Sequence, residues 1–326
     1  MDGYTAFGAS ITALGAKQTF LCPAPSAVVA DLDIIAQAPG LMNAWGYADL
    51  LSKVTAGADW ILADALGAEP IDLCAWTIVQ GRLREMAGDP AGVRARDSAA
   101  IAKLVEGLML GGFAMQSAQS SRPASGAEHQ FSHLWDMQHH THDGAAPSHG
   151  FKVGIGTLAV TALYEYVLAL PIDKLDVDAC CAAWPDESGW VSRAASLLGE
   201  GELANNAAKE LRAKHSDPRQ LKVQLQTLRA SWPDLRARLR AQLLPLVQLR
   251  DMLRKVGAPT EPEQIGISRA RLRESYWEAF CIRRRFTVLD LAARIGVLDD
   301  ALNCIFGADG TWPIARRDIP AAAVLR

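Results

Sequence analysis

The chain has 326 residues, half of them apolar and 21% charged, with 33 lysines and arginines against 36 aspartates and glutamates for a net charge of −3. That profile excludes a disordered chain and a strongly basic nucleic-acid binder, and the length allows one large domain or two ordinary ones. The longest apolar run, 154–171, is interrupted by Glu165 and falls short of the roughly 20 residues a membrane span needs. The first residues carry no basic-then-apolar leader, so a cytoplasmic protein without a membrane span is expected. Six scattered cysteines without a Cys-x-x-Cys pair predict neither a disulfide framework nor a thiolate zinc site; they read as buried small hydrophobes.

In chain order, residues 17–21 and 27–31 read as extended on either side of Cys22-Pro23-Ala24-Pro25-Ser26, which predicts one short β hairpin. From Leu41 onward the spacing is helical. Leu50, Val54, Ala58, Ile61 and Leu62 share one face, and Ile101, Leu104, Val105 and Leu108 share another behind a Ser98 cap. Asp49, in Gly46-Tyr47-Ala48-Asp49-Leu50-Leu51, would open the first of these helices as an N-terminal acid beside a flexible glycine. Between 221 and 256, Leu225, Leu228, Trp232, Leu235 and Leu239 recur at helical spacing, with Arg229, Arg236, Arg238 and Arg240 mostly elsewhere around the helix. That is a solvated arginine face over a leucine core, and Arg283-Arg284-Arg285, after Tyr276, Trp277 and Phe280, is read the same way. With no internal repeat or linker, the chain is expected to be mostly α.

Six of the seven histidines fall within 21 residues: His129, His133, His139, His140, His142 and His149. His129 and His133, four apart in Glu128-His129-Gln130-Phe131-Ser132-His133, project from one helix face and can serve one metal site together with a third histidine. His139, His140 and His142 sit where that helix frays into a Gly- and Pro-containing loop, and read as a polar surface tract. Catalytic metal sites commonly join two imidazoles to a carboxylate and keep a position open. Spacing does not choose the carboxylate; Asp49 is a candidate.

Gly154-Ile155-Gly156-Thr157-Leu158-Ala159 matches the dinucleotide fingerprint, with Asp173 at about the right distance for a ribose contact. Its context fails, because only Phe151-Lys152-Val153 separates it from His149-Gly150 and no hydrophobic strand feeds the turn. Small residues that let helices approach closely account for the string better.

Taken together, Met1-Asp2-Gly3-Tyr4-Thr5, Gly46-Tyr47-Ala48-Asp49-Leu50-Leu51, Ser121-Arg122-Pro123-Ala124-Ser125-Gly126-Ala127-Glu128-His129, His149-Gly150-Phe151-Lys152-Val153-Gly154-Ile155-Gly156 and Phe286-Thr287-Val288-Leu289-Asp290-Leu291-Ala292 make a specific pattern. By it the chain resembles the sn-glycerol-1-phosphate dehydrogenases, particularly their bacterial branch, within the superfamily of iron-type alcohol dehydrogenases, glycerol dehydrogenases and dehydroquinate synthases. The resemblance runs over nearly the whole chain, weakly between 173 and 220. It implies the helical metal-binding domain of the dehydroquinate synthase-like fold, with residues 1–40 as an inter-domain segment carrying the hairpin and residues 41–326 as the metal- and substrate-binding domain.

The resemblance further implies one divalent metal (zinc, nickel or iron) held by Asp49, His129 and His149, with His133 facing substrate, Asp2 contacting it and Asp49 doing both. The implied reaction is reversible NAD(P)H-linked reduction of dihydroxyacetone phosphate to sn-glycerol 1-phosphate, with His133 and Asp49 catalytic, by a homodimer. A phosphate site near the metal is expected from Lys53, Arg122 and Lys152. The sequence departs from the family at Gly46-Tyr47-Ala48, where Gly-Phe-Gly is usual, and at Ala6, where a cofactor-contacting serine is usual. No stretch resembles the family's nucleotide-binding domain with its Gly-Gly-Gly turn, so cofactor-binding residues stay unassigned. These 326 residues alone are expected to bind metal but to oxidise NADH or NADPH negligibly. The other function class open to such a chain is a non-catalytic helical module that binds metal and a phosphate ester.

Overall fold

The computed structural model describes residues 2–13, 16–20 and 22–314. Their only ladder is early: β1 (Ala9–Ala13) pairs antiparallel with β2 (Ala16–Phe20), Ala9 opposite Phe20 and Ala13 opposite Ala16. The hairpin expected between 17–21 and 27–31 does not form. Residues 17–20 belong to β2, Leu21 lies outside the described residues, and 27–31 run without regular structure into a helix at Leu32–Gln37. Pro23 and Pro25 lack the N–H a ladder needs, so they end the sheet where a turn was expected between strands.

From Leu32 the described chain is helical apart from short connections. The apolar face Leu50–Val54–Ala58–Ile61–Leu62 is buried as expected, but it runs through two helices, Gly40–Leu51 and Lys53–Ala65, jointed at Ser52. Asp49 therefore sits at the end of a helix rather than its start. The helix Ser98–Ala118 is capped by Asp97, whose side chain accepts from Ala99 N and Ala100 N, rather than by Ser98. The leucine-rich stretch likewise breaks into Pro218–Gln242 and Leu246–Val256, with Leu225, Leu228, Trp232, Leu235 and Leu239 buried. The six cysteines are free; Cys281 is buried in the core and the half-buried Cys180 and Cys181 pack against it as expected, whereas Cys22, Cys74 and Cys304 are exposed.

At the centre runs the helix His149–Ala169, apolar nearly all round and so able to be covered on every side. Val153, Ile155, Leu158, Ala159, Val160, Leu163 and Tyr164 are fully buried, against the helices Gly40–Leu51, Ala127–Met137 and Leu246–Val256. This helix and Ser98–Ala118 are long and apolar enough to cross a membrane; 83% of the apolar window of His149–Ala169 is buried inside the molecule, and half of the other. The 154–159 string lies wholly inside the central helix. A Cβ at Gly156 would stand 2.5 Å from the Glu128 carbonyl oxygen, so this glycine lets the two histidine-bearing helices touch backbone to backbone.

A buried carboxylate ties the starts of two helices to this core. Asp59 Oδ2 accepts from Ala127 N (2.7 Å), and Oδ1 accepts from Val288 N (2.8 Å) and Tyr164 Oη (2.7 Å). Burial, followed by the Glu128 carboxylate, pushes the Asp59 carboxyl up to about 7. In the unfolded chain it ionises near pH 4, so its stabilising contribution is complete below that pH and is lost as pH rises through 7. Asp59→Asn puts an amide nitrogen where one donor was accepted, leaving a buried N–H or hydroxyl unmatched at about 1–3 kcal/mol. Urea unfolding should show that loss at pH 5 and a smaller one at pH 8; an equal loss at both pH values would contradict the titration of Asp59.

Candidate metal centre

Three helices converge on one point. Asp49 comes from the last turns of Gly40–Leu51, His129 from the first turn of Ala127–Met137 and His149 from the first residue of His149–Ala169. One ligand atom from each lies within 4.8 Å of the other two. His129 Nε2 is 3.4 Å from Asp49 Oδ1 and His149 Nε2 is 3.9 Å from the same oxygen. Zinc bonds of about 2.1 Å in tetrahedral geometry separate two ligand atoms by about 3.4 Å, so this spacing fits an ion more closely than a direct hydrogen bond. Asp49 and His129 are buried while His149 is exposed, which leaves the cluster open on one side.

The surrounding hydrogen bonds aim the ligands. Glu128 Oε1 accepts from His129 Nδ1 (2.8 Å) and from Gly126 N (2.6 Å), and Glu128 Oε2 accepts from Thr55 Oγ1 (2.9 Å). Glu128 holds a proton on Nδ1, so when Nε2 is deprotonated its lone pair turns toward Asp49. Ser132 Oγ lies 3.2 Å from His149 Nδ1 in the same supporting role. Asp49 Oδ2 accepts from Lys53 Nζ at 2.8 Å, whereas Oδ1, buried, accepts no hydrogen bond. A buried carboxylate oxygen without a donor, facing an imidazole lone pair, is the arrangement a cation resolves. The donor set therefore fits a divalent ion.

Charge on the cluster is strongly coupled. Burial alone would raise the Asp49 carboxyl, but the Lys53 ammonium, His129 and His149 overcome it and hold it well below the usual carboxylate range. Burial alone would lower His129, and Asp49 and Glu128 overcome it to hold a proton there more tightly than usual. That proton competes with a metal ion for Nε2, so metal affinity falls as pH is lowered.

Of the other expected site residues, Asp2 comes alongside: its Oδ2 is 3.8 Å from Lys53 Nζ. Thr5 Oγ1 anchors this segment by donating to Met109 O at 2.8 Å. Gly112 makes room for it, since a Cβ there would overlap Thr5 Oγ1 and Asp2 O. The His133 ring centroid is 6.1 Å from that of His129 and 6.3 Å from that of His149, and His133 lines a cavity of about 730 Å³ together with Gly126, Gln130, Arg283 and Arg285.

The expected phosphate trio is not assembled. Lys53 is fully buried on Asp49, Lys152 pairs with Asp136, and the buried Arg122 donates to Phe286 O (2.9 Å) and Asp59 O (2.5 Å) and sits 3.5 Å from Glu69. Nor are the loop histidines all on the surface: buried His140 donates from Nε2 to Ile265 O (2.7 Å) and accepts at Nδ1 from Arg271 (2.8 Å). Sequence reasoning missed Glu128 and Ser132 as supporting groups. Glu128 reads as an ordinary acid in a helix's first turn, and only its complete burial next to His129 marks it out.

Comparisons with known proteins find similar sequences. A family model described as "Iron-containing alcohol dehydrogenase" matches residues 1–39. A protein of Bacillus licheniformis named glycerol-1-phosphate dehydrogenase [NAD(P)+] is 27% identical over 303 residues, 93% of this chain and 62% of that protein. The namesake from Geobacillus stearothermophilus is 30% identical over 290 residues, 89% of this chain and 62% of its own. That from Halalkalibacterium halodurans is 38% identical over 165 residues, 51% and 41% respectively. The chain thus spans between 41% and 62% of the length of these curated relatives. Within those spans, the chain is similar in sequence to proteins named glycerol-1-phosphate dehydrogenase [NAD(P)+].

Proposed function

We propose that this chain carries the metal and substrate site of an NAD(P)-linked oxidoreductase that interconverts dihydroxyacetone phosphate and sn-glycerol 1-phosphate. The observation that carries the reading is Asp49 Oδ1, a buried oxygen without a donor, between two imidazole nitrogens at 3.4 and 3.9 Å. In this reading residues 41–326 form the metal- and substrate-binding domain, and residues 1–40 are an inter-domain segment that supplies Asp2.

Asp49, His129 and His149 would hold the divalent ion, which supplies Lewis-acid polarisation of the substrate carbonyl while NAD(P)H supplies the hydride. Lys53 holds Asp49 by Oδ2 and so keeps Oδ1 turned to the ion. Arg283 donates from Nη2 to His133 Nδ1 at 3.0 Å, so neutral His133 carries its proton on Nε2 and can donate a hydrogen bond to the oxygen that gains charge as the carbonyl is reduced, the proton itself coming from ordered water. Asp2, beside Lys53, accepts a substrate hydroxyl.

The test is an assay of the gene product that contains this chain, after metal removal and reloading. NADH or NADPH oxidation should require dihydroxyacetone phosphate, stop on chelation and return with zinc, nickel or iron, and sn-glycerol 1-phosphate should be the enantiomer formed. A protein that binds metal and dihydroxyacetone phosphate without oxidising either nucleotide would instead be the non-catalytic binding module.

A further inference from the structure

The connection after the helix Arg269–Cys281 places all three of its consecutive arginines on the cavity beside the cluster. Arg284 is neutralised by Glu210, at 2.7 Å. The other two are not neutralised in this way: among the described residues, Arg283 and Arg285 donate to uncharged acceptors. Arg283 Nη2 reaches His133 Nδ1 at 3.0 Å, and Arg285 donates to Ser125 O at 2.7 Å and Ser121 Oγ at 2.8 Å. Arg283 is exposed to the cavity and Arg285 half-buried. Burial, with the Arg122 guanidinium next to it, pushes Arg285 down to about 10 against the pull of Glu69 and Glu128; it stays charged at neutral pH, and among the described residues its hydrogen bonds go to uncharged acceptors. The cavity, about 730 Å³, has ample room for a small ligand. His133 lies between these arginines and the metal cluster, so the two groups are one imidazole apart.

We infer that Arg283 and Arg285 form the fork that recognises the phosphate of a small phosphomonoester whose other end reaches the Asp49–His129–His149 cluster. The inference rests on the proposed function for the ligand's other end, and replaces the expected trio of Lys53, Arg122 and Lys152. Guanidinium is the side chain suited to it, because its planar fork matches two phosphate oxygens at once. The neutral acceptors that now hold Arg283 and Arg285 fix the two planes without cancelling their charge. Arg285 spans Ser121 and Ser125, just ahead of the helix that bears His129, so an anion bound there is placed relative to the same helix that places the metal ligand.

The experiment is titration calorimetry on the zinc-loaded protein at constant ionic strength, with inorganic phosphate, dihydroxyacetone phosphate, unphosphorylated dihydroxyacetone and NADP as separate probes. Arg283→Gln and Arg285→Gln should each weaken phosphate and dihydroxyacetone phosphate about ten-fold or more, leave dihydroxyacetone unaffected and keep full zinc content. Arg285→Lys should recover part of the loss, and Arg284→Gln should bind phosphate as the parent does. Should Arg285→Gln not fold, Arg283→Gln and Arg285→Lys carry the same comparison. Unchanged phosphate affinity in the Arg283 and Arg285 variants overturns the inference. So does a loss confined to NADP, which would make the fork a dinucleotide site. Phosphate binding that depends on the arginines in a protein unable to hold zinc would sink the metal reading and leave this one standing; zinc binding without phosphate binding would do the reverse.

Discussion

Replacing His129 or His149 by alanine should strip the metal from this protein, while His133→Ala should keep it. The three histidines crowd together, with ring centroids 5.2 to 6.3 Å apart, so distance between rings does not sort them. Their partners do. His129 Nε2 and His149 Nε2 both face Asp49 Oδ1, with Nδ1 of each ring against Glu128 or Ser132, whereas His133 is tied by Nδ1 to Arg283. A residue outside the coordination shell costs roughly 10–100-fold in affinity when removed, and a direct ligand costs more. Elemental analysis after dialysis against a weak chelator should therefore read near zero for His129→Ala and His149→Ala and near one ion per chain for His133→Ala. In the gene product that contains this chain, the role proposed for His133 predicts that His133→Ala keeps its metal and loses turnover, because the hydrogen bond to the developing oxyanion is gone. Full metal content in His149→Ala would sink the ligand assignment.

Lys53→Met should be the most damaging single change to the metal-free protein. Lys53 is fully buried, 2.8 Å from Asp49 Oδ2 and 3.8 Å from Asp2 Oδ2. Burial opposes its charge, but Asp49 and Asp2 hold the ammonium on, above its ordinary range. Removing one partner of a buried pair leaves the other uncompensated, at about 3–5 kcal/mol. Asp49 would then rise toward its protonated form, and the oxygen that faces the imidazoles would lose its charge. Denaturant unfolding in a chelator should show most of that loss. Saturating zinc should restore part of it, since the ion supplies positive charge on the other side of the same carboxylate. A loss below 1 kcal/mol with and without zinc would mean that Lys53 is a packing residue and not the counter-ion.

Much of this molecule was legible in the sequence, for local reasons. The helical class follows from 3.6-residue periodicity, and the faces carrying Leu50 to Leu62 and Ile101 to Leu108 are buried as that periodicity requires. His129 and His133 do share a helix face. The joint at Ser52 is hidden in the sequence because the apolar stripe continues through it, so Asp49 reads as a helix start. The hairpin was misplaced for a related reason: strand pairing depends on which neighbouring segment supplies a partner ladder, and alternation within one segment does not say.

The residues that give the cluster its character are separated by long stretches of chain, and no local pattern links them. From the sequence, Asp49 and His149 come together only through a resemblance to known proteins, and Lys53, Arg122 and Lys152 read as phosphate ligands because each lies near a motif. The fold buries those three cations and gives each partners of its own instead, since a charge taken out of water must be matched where it lies. It also turned Arg283 and Arg285, in a run that reads as a solvated face, toward the cavity beside His133. Sequence by itself determined which helices form and which side of each is apolar, because those follow from contacts within a few residues. Tertiary structure alone decided which charges meet, because that depends on how close separate helices approach, and here a single glycine at 156 sets that distance for the two helices that bear His129 and His149.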